Sequence, residues 1–335
     1  MKALDFFFLF IILITLGHSA IALTTFDPLS IGGGARALGM GKAMVAVADG
    51  GDTLFNNPAG LGEIDNFQFT SMSGKILEEV GYSLLGIIYP LGNKTAVGIG
   101  YASTKVSAVD LYDASGNFQK RADFNDVVLL VSFGHKLLDK TAVGLNLKYF
   151  MQDSNELQSS NGAGVNLDIG FLQYHQDWLA MGVLGKNIIN FSKIRYQNGE
   201  EETLPSSLIV GTKIYLLGNS FSSAFLSPLE LLLCSDVELP LNSSQPVTLH
   251  TGFEVSPIPN SLSLRAGIDQ APIPNGIQNN LTAGISLKLG GIGFHYAYHM
   301  YGDLPENLSH YFSLSLDESG WAPEGPFDIY HAGKP

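Results

Sequence analysis

Thr141-Ala142-Val143-Gly144-Leu145-Asn146-Leu147-Lys148-Tyr149-Phe150 alternates without a break. Thr141, Val143, Leu145, Leu147 and Tyr149 fall on one side of an extended chain, and Ala142, Gly144, Asn146, Lys148 and Phe150 on the other. Successive side chains of a strand point to opposite faces, so this is a strand with one apolar face and one face of small or polar groups. The pattern returns on both sides of it. Val165, Leu167, Ile169 and Phe171 alternate with Gly164, Asn166, Asp168 and Gly170. Val247 to Val255 does the same against Thr248, His250, Gly252 and Glu254, and Leu262 to Ile268 against Ser263, Arg265, Gly267 and Asp269. Ile292, Phe294, Tyr296 and Tyr298 alternate with Gly293, His295, Ala297 and His299.

A soluble sandwich also alternates, because it buries one face and wets the other. Length separates the two. The segments run to about ten residues, which suits a tilted strand crossing a bilayer and exceeds the five or six usual in globular sheets. Tyr89, Tyr101, Tyr149, Phe171 and Tyr298 sit near segment ends, where an aromatic girdle meets headgroups. Charged residues make up 15% of the chain, against about 25% in soluble domains, so part of the surface faces something other than water. The expected fold is all-β, a transmembrane antiparallel barrel of about fourteen strands, an even number as in single-chain bacterial barrels. Its wall is expected over 66–316. Tight turns are expected at 91–93, 138–139, 175–176, 257–259 and 290, and long loops at 104–124, 152–161, 187–205, 270–278 and 301–307. The connection 218–227 is too long for the short-turn side on which it falls.

The ends differ from the middle. Lys2, the apolar run Phe6 to Leu16 and the small residues up to Ala22 read as a secretory signal peptide, 1–22, cleaved after Ala22. An anchoring helix would need roughly twenty apolar residues. No Cys follows the run, so lipoprotein processing is not expected. Net charge is −13 and is unchanged by loss of the leader, since Lys2 and Asp5 cancel. Such an acidic chain is a poor nucleic-acid partner. The single cysteine, Cys234, excludes an internal disulfide and a cysteine metal cage and reads as a small apolar residue. Residues 317–335, with Trp321, Pro323 and Pro326, read as a flexible periplasmic tail.

Between leader and wall, 23–65 is glycine-rich and not strand-like. Gly39-Met40-Gly41-Lys42 lacks the following Ser or Thr and the preceding strand of a phosphate loop. Asp49, Asp52 and Asp65 read as solvated loop carboxylates. Pro58 stops any helix begun upstream, and Arg36, if enclosed, needs a carboxylate partner. Lys148, Asp168, Lys213, His250 and Arg265, with Asp269, His295, Glu254 and Lys288, take the face opposite the apolar one. They are the lumen-facing candidates, either bracing the barrel or guiding a ligand. No cofactor or metal is implied.

Gly34-Ala35-Arg36-Ala37-Leu38-Gly39-Met40-Gly41-Lys42-Ala43, followed by Asn57-Pro58-Ala59-Gly60-Leu61, resembles the N-terminal signature of the PorV/PorQ group within the FadL-type (OmpP1/FadL/TodX) outer-membrane barrel superfamily. The C-terminal hairpin, Gly293 to Tyr298 through Tyr301-Gly302-Asp303-Leu304 and His310 to Leu316, is also similar to that group's last two strands. The resemblance is specific at these ends, about a quarter of the mature chain, and architectural between them. It implies a fourteen-stranded barrel in the bacterial outer membrane, with 23–65 as a hatch in the lumen and Gly34, Arg36, Gly39, Gly41, Asn57, Pro58, Ala59 and Gly60 in the hatch motif.

Two functions follow from it. One is passage of hydrophobic small molecules through a hatch-gated lumen and a side opening. The other is docking of secreted proteins within a type IX secretion assembly. Outer-membrane lipids are partners in either case. An outer-membrane hydrolase would need an activated nucleophile, and Ser263 with His250 on neighbouring segments is the nearest approach to one. The protein is not expected to be an enzyme.

Overall fold

The computed structural model describes residues 25–318 apart from 48, 77–78, 157–160, 190–192, 219–228, 275 and 303–307. The leader 1–22, tail residues 319–335 and most of the connection 218–227 lie outside the described residues. The alternating segments are strands: β1 Gln68–Ile76, β2 Val80–Pro90, β3 Thr95–Tyr112, β4 Phe118–Leu138 and β5 Thr141–Ser154. Next come β6 Gly162–Gln176, β7 Leu179–Lys186, β8 Lys193–Tyr196, β9 Glu201–Thr203 and β10 Ser207–Leu217. The last six are β11 Glu230–Pro240, β12 Thr248–Ile258, β13 Leu262–Ile273, β14 Gly276–Leu289, β15 Ile292–Met300 and β16 Leu308–Asp317.

Fourteen of them close into one antiparallel barrel, each paired with its neighbours in sequence, with β7 beside β10 and β16 beside β1. Closure removes the unpaired strand edges that no lipid could satisfy. The seam is regular, from Gln68 opposite Asp317 to Lys75 opposite His310, so the last strand runs one residue into the expected tail. β8 and β9 form a small hairpin attached to β6 by Gly162–Tyr196 and Ala163–Arg195 pairing.

Parity decides what each strand shows to each side. On β5, Leu145, Leu147 and Tyr149 are exposed outward, whereas Gly144, Asn146, Lys148 and Phe150 are buried inward. Leu85, Ile87 and Tyr89 on β2, and Leu281, Ile285 and Leu287 on β14, continue the outward apolar belt. An apolar surface that girdles the molecule is what a strand barrel presents to hydrocarbon. Among the described residues no helix is long and apolar enough to cross a membrane; the strands make the crossing.

Four expectations need correction. The stretch 104–124 is mostly strand: β3 continues to Tyr112 and β4 begins at Phe118, leaving a short turn in which the Asp113 carboxylate accepts the Ser115 and Asn117 N–H groups. Beyond the belt both faces of this hairpin meet water, so alternation fades although pairing does not. The stretch 270–278 likewise belongs to the β13–β14 hairpin, and 187–205 contains β8 and β9. Phe171 is not an exposed girdle residue. It sits between its cross-strand partners Val143 and Val183 and is buried with Val183 and Leu208.

Candidate functional site: the luminal segment and the cavity beside it

Residues 25–64 run through the barrel interior. The path begins at the long-loop end, where the Thr25 N–H donates to Thr203 O of β9 at 2.9 Å. Asp27 caps a 3-10 turn, Pro28–Ser30, by accepting the Leu29 N–H at 2.9 Å. A short helix follows, α1 Ala35–Gly39, entered through Gly34 at φ 117°, where a side chain would strike the Asp52 carboxylate. The chain then turns at Gly41 and Lys42, both left-handed, and forms α2 Thr53–Asn56. Pro58 has no N–H to extend that helix, so the chain restarts as a second 3-10 stretch, Pro58–Glu63, capped by the Asn57 side chain on the Ala59 N–H at 3.1 Å. Glu63 meets Lys136 at 2.7 Å near the short-turn end of β4, and the wall begins soon after.

The segment fits because the wall facing it is glycine. Gly86 on β2 leaves room for Leu54 and Phe55, Gly100 on β3 for Phe55, and Gly134 on β4 for Leu61 and the Pro58 carbonyl. Gly144 and Gly170 lie against Pro58 and Asn57, Gly182 against Val45, Gly252 and Gly267 against Met40, and Gly284 against Gly39. A Cβ on Gly252 would come within 2.7 Å of the Met40 Cα, and one on Gly267 within 2.5 Å of the Gly41 nitrogen. These glycines occupy neighbouring strands at matching heights, as in the Gly134–Gly144, Gly144–Gly170 and Gly252–Gly267 pairs. They form a belt in which backbone approaches backbone.

Polar anchors tie the segment to several sectors of the wall. Arg36 donates to both oxygens of Glu254 on β12, Nη2 to Oε1 at 2.7 Å and Nε to Oε2 at 2.9 Å, and pairs through Nη1 with Asp49. Enclosure in the lumen would raise the half-exposed Asp49 carboxyl, but Arg36 beside it, and Lys213 further off, hold it well below the usual carboxylate range. Lys42 reaches Asp269 Oδ2 on β13 at 3.0 Å and the Ser30 carbonyl at 3.1 Å. Asp269 also lies 2.9 Å from His250 Nδ1 and 3.0 Å from His299 Nε2. Asp27 is fully enclosed, accepts from Asn187 at 3.0 Å, and has Lys186 at 3.6 Å and Lys148 at 3.9 Å. Lys148 in turn meets Asp168 at 2.6 Å. The Asn57 side chain donates to the carbonyls of Val45, 2.7 Å, and Phe171, 3.2 Å.

The residues singled out by sequence fall into separate groups. Lys148 and Asp168 lie together beside Asp27, and His250 with Asp269 beside Lys42. Arg265 joins the Arg36–Glu254 pair and also donates to Ser286, whose hydroxyl is 2.5 Å from His295. Lys213 lies apart, its ammonium 5.3 Å from the Tyr174 ring and 5.6 Å from the Tyr215 ring. Gly34, Gly39, Gly41, Pro58, Ala59 and Gly60 are all buried in the interior segment: Gly34 enters α1 at its positive φ, Gly39 packs on Gly284, Gly41 on Ile268, and Pro58 and Ala59 on Gly144 and Gly170. Asp49 and Asp52 are not free loop carboxylates. Asp49 pairs with Arg36, and Asp52 accepts the Thr70 hydroxyl at 2.5 Å. Ser263 bonds to Ser256 at 2.9 Å, while His250 is engaged by Asp269 six residues further along β13, so no nucleophile–base pair forms. Sequence reasoning passed over Asp27, Lys186, Asp236 and Glu238. The last two share the inward parity of Leu232 and Cys234 on β11, which was the available signal.

A cavity of about 650 Å³ lies between the segment and the wall strands β7 and β10 to β13. Phe26, Met44, Val45 and Ile209 give it apolar surface; Lys42, Lys186 and five carboxylates give it charge. A second hollow of about 420 Å³, lined by Ile31, Ile76, Val80, Val106 and Tyr301, shares Phe26, Ser30 and Lys42 with the first.

Fold and interior together define a membrane-spanning β-barrel whose lumen holds its own N-terminal segment. That architecture is found in solved outer-membrane channels. The toluene transporter TodX of Pseudomonas putida superposes with a TM-score of 0.57 at 12% identity, over 85% of this chain and 98% of that one. The toluene transporter TbuX of Ralstonia pickettii gives 0.53 at 12% identity, over 85% and 98%. A FadL homologue from Pseudomonas aeruginosa gives 0.56 at 11% identity, over 88% and 98%. At such identity the likeness is one of fold, the FadL-type barrel. No family model and no curated protein sequence matches the chain.

Proposed function

We propose that the protein is a bacterial outer-membrane channel that binds a hydrophobic small molecule and passes it inward, with residues 23–65 serving as its hatch. Export by the leader 1–22 places the short turns in the periplasm and the long loops outside the cell. The observation that carries this reading is the cavity of about 650 Å³ at the long-loop end, floored by a segment the glycine belt fits closely. A ligand entering from outside meets Phe26 and the cavity first, and onward movement requires the segment to yield. The hydrocarbon cargo of TodX and TbuX supports the class of ligand.

The test is uptake of a labelled hydrophobic aromatic by intact cells of a host without such a channel. Expression should raise the initial rate several-fold over empty vector. Equal rates at confirmed surface expression refute the proposal.

A second reading, docking of secreted proteins in the manner of the PorV/PorQ group, is supported by the β3–β4 hairpin. It carries the paired rings of Tyr112 and Phe118, 6.1 Å apart and both more than half exposed, well beyond the apolar belt. Cross-linking from position 112 to an exported protein, without change in small-molecule uptake, would favour this reading.

A further inference from the structure

Two lysines line the main cavity, and they differ in what their ammonium groups meet. Lys42 is held by Asp269 at 3.0 Å and by the Ser30 carbonyl at 3.1 Å. Lys186, the last residue of β7, makes no side-chain hydrogen bond to any described residue. Its nearest acid atom is Asp27 Oδ2 at 3.6 Å, and its side chain is partly exposed to the cavity. An ammonium carries three N–H donors, so Lys186 presents free donors to whatever enters. Parity places Leu184 and Gly182 on the same inward face of β7. Across the β7–β10 pair Lys186 faces Ser207, Leu184 faces Ile209 and Gly182 faces Gly211. Ser207, Leu184 and Ile209 line the cavity with Lys186, and Val45 packs on Gly182 one row deeper.

The carboxylates of the cavity are already engaged. Asp27 accepts from Leu29 N–H and Asn187, Asp168 meets Lys148, and Asp269 meets Lys42 with two imidazoles. Asp236 accepts the N–H groups of Met44 and Val45, and its other oxygen is sealed against Gly211. Glu238 faces His250 at 3.6 Å. The hydrogen-bonding capacity left for a ligand is therefore that of a donor. A bare hydrocarbon would strip water from Lys186 and give nothing in return, which is costly. An anion would meet Asp27, Glu238 and Asp168, all of which act on the same lysine. A cation would meet the lysine itself. A neutral acceptor meets neither objection.

We infer that the cavity selects a neutral apolar molecule with one oxygen acceptor, a ketone or ester, whose oxygen accepts from the Lys186 ammonium while its apolar body lies on Leu184, Ile209 and Val45. The inference rests on the proposed function, naming the ligand class for the same channel.

Equilibrium dialysis of the full-length protein in lipid nanodiscs, with uptake by empty discs subtracted, tests it against four labelled probes of similar shape. The probes are acetophenone, isopropylbenzene, benzoate and benzamidinium at neutral pH. Acetophenone should bind at least roughly tenfold tighter than each of the others, the scale of one hydrogen bond from a charged donor. Lys186→Met should remove its advantage over isopropylbenzene, and Lys186→Arg, which restores charged donors, should keep it. The infrared band of an isotope-labelled acetophenone carbonyl reads the contact directly. It should move to lower frequency on binding to the wild type and move back in Lys186→Met. The wild-type band decides by itself if Lys186→Met does not fold. Isopropylbenzene binding as tightly as acetophenone, an unshifted carbonyl band, or a preference that survives Lys186→Met overturns the inference and leaves the channel reading intact. Tightest binding by benzoate or benzamidinium also overturns it. Failure of all four probes to bind overturns both.

Discussion

Arg36 of the luminal segment and Glu254 of wall strand β12 lie in a two-point embrace, with both carboxylate oxygens accepting from one guanidinium at 2.7 and 2.9 Å. Both side chains are almost out of solvent. Such a pair contributes little over an apolar substitute, but losing one member leaves a stranded charge, which costs about 3–5 kcal/mol.

Arg36→Ala, which leaves the carboxylates of Asp49 and Glu254 with Arg265 as the one remaining arginine, should therefore loosen the segment more than Arg36→Lys, which keeps a cation between them. The native thiol reports it. Cys234 faces Met40 and Met44 and is buried beneath them, so maleimide should label it slowly in the wild type and many times faster in Arg36→Ala. Equal labelling in all three proteins would show that the pair is not what retains the segment.

The glycine belt makes a steric prediction. Gly144→Val would press a side chain into the Pro58 carbonyl, and the regular pairing around it gives the wall no reason to move. The barrel should still run as a folded, heat-modifiable band, with Cys234 open to maleimide and ion conductance raised in planar bilayers. Gly81→Ala, whose Cβ would meet only the Lys105 carbonyl at 3.7 Å, should behave as wild type.

Asp27 predicts an acid limit. Burial alone would raise its carboxyl, but the ammonium groups of Lys186 and Lys148, with hydrogen bonds from the Asn187 side chain and Leu29 N–H, hold it below its ordinary value. A carboxylate depressed in the folded state stabilises above its unfolded pKa, about 4, and that contribution is lost as pH falls through the lower folded value. Protease resistance of residues 25–64 should hold from neutral pH to near 4 and decline only below it. Asp27→Asn should be less resistant at neutral pH and show a flatter acid dependence.

The belt predicts a depth profile. Leu147 lies outward in the middle of β5 and Leu138 at the turn end of β4. Leu147→Lys should lower stability in bilayers by about 2–4 kcal/mol and Leu138→Lys by less than about 1 kcal/mol. Equal costs, measured by urea unfolding into liposomes, would contradict a lipid-facing belt at those heights.

How much could be read in advance depends on which force shaped each part. Where lipid lies on one side and close packing on the other, alternation is compulsory, and β5 from Thr141 to Phe150 is legible residue by residue. Outside the belt that constraint ends. Lys105, Asp110, Arg121 and Asp123 read as loop, yet they pair across the β3–β4 hairpin, Lys105 with Asp123 and Arg121 with Asp110. The β8–β9 hairpin had its own signal in Asn198-Gly199, a turn dipeptide, but its strands are four and three residues long with Ile194 the one buried side chain, too short a run for alternation to show. The interior was half legible. A glycine at an inward position is visible in sequence, whereas its partner, Met40 for Gly252 or Pro58 for Gly144, depends on where an irregular segment happens to run. Parity with Leu232 and Cys234 marks Asp236 as inward, but the partners that give it a role, the amides of Met44 and Val45, lie some 190 residues earlier.

The seam between β1 and β16 has a consequence for biogenesis. The luminal segment is made first, yet its seats lie on strands from β2 to β14, so the set of seats is complete only when nearly the whole chain has been synthesised. With backbone filling the belt, an already closed cylinder offers no clearance through which the segment could be threaded afterwards. Cork and bottle must be moulded together, with the first strand held apart from the last until the segment has found its place. The zipping of Gln68–Lys75 onto His310–Asp317 is then the act that seals the vessel around contents already inside.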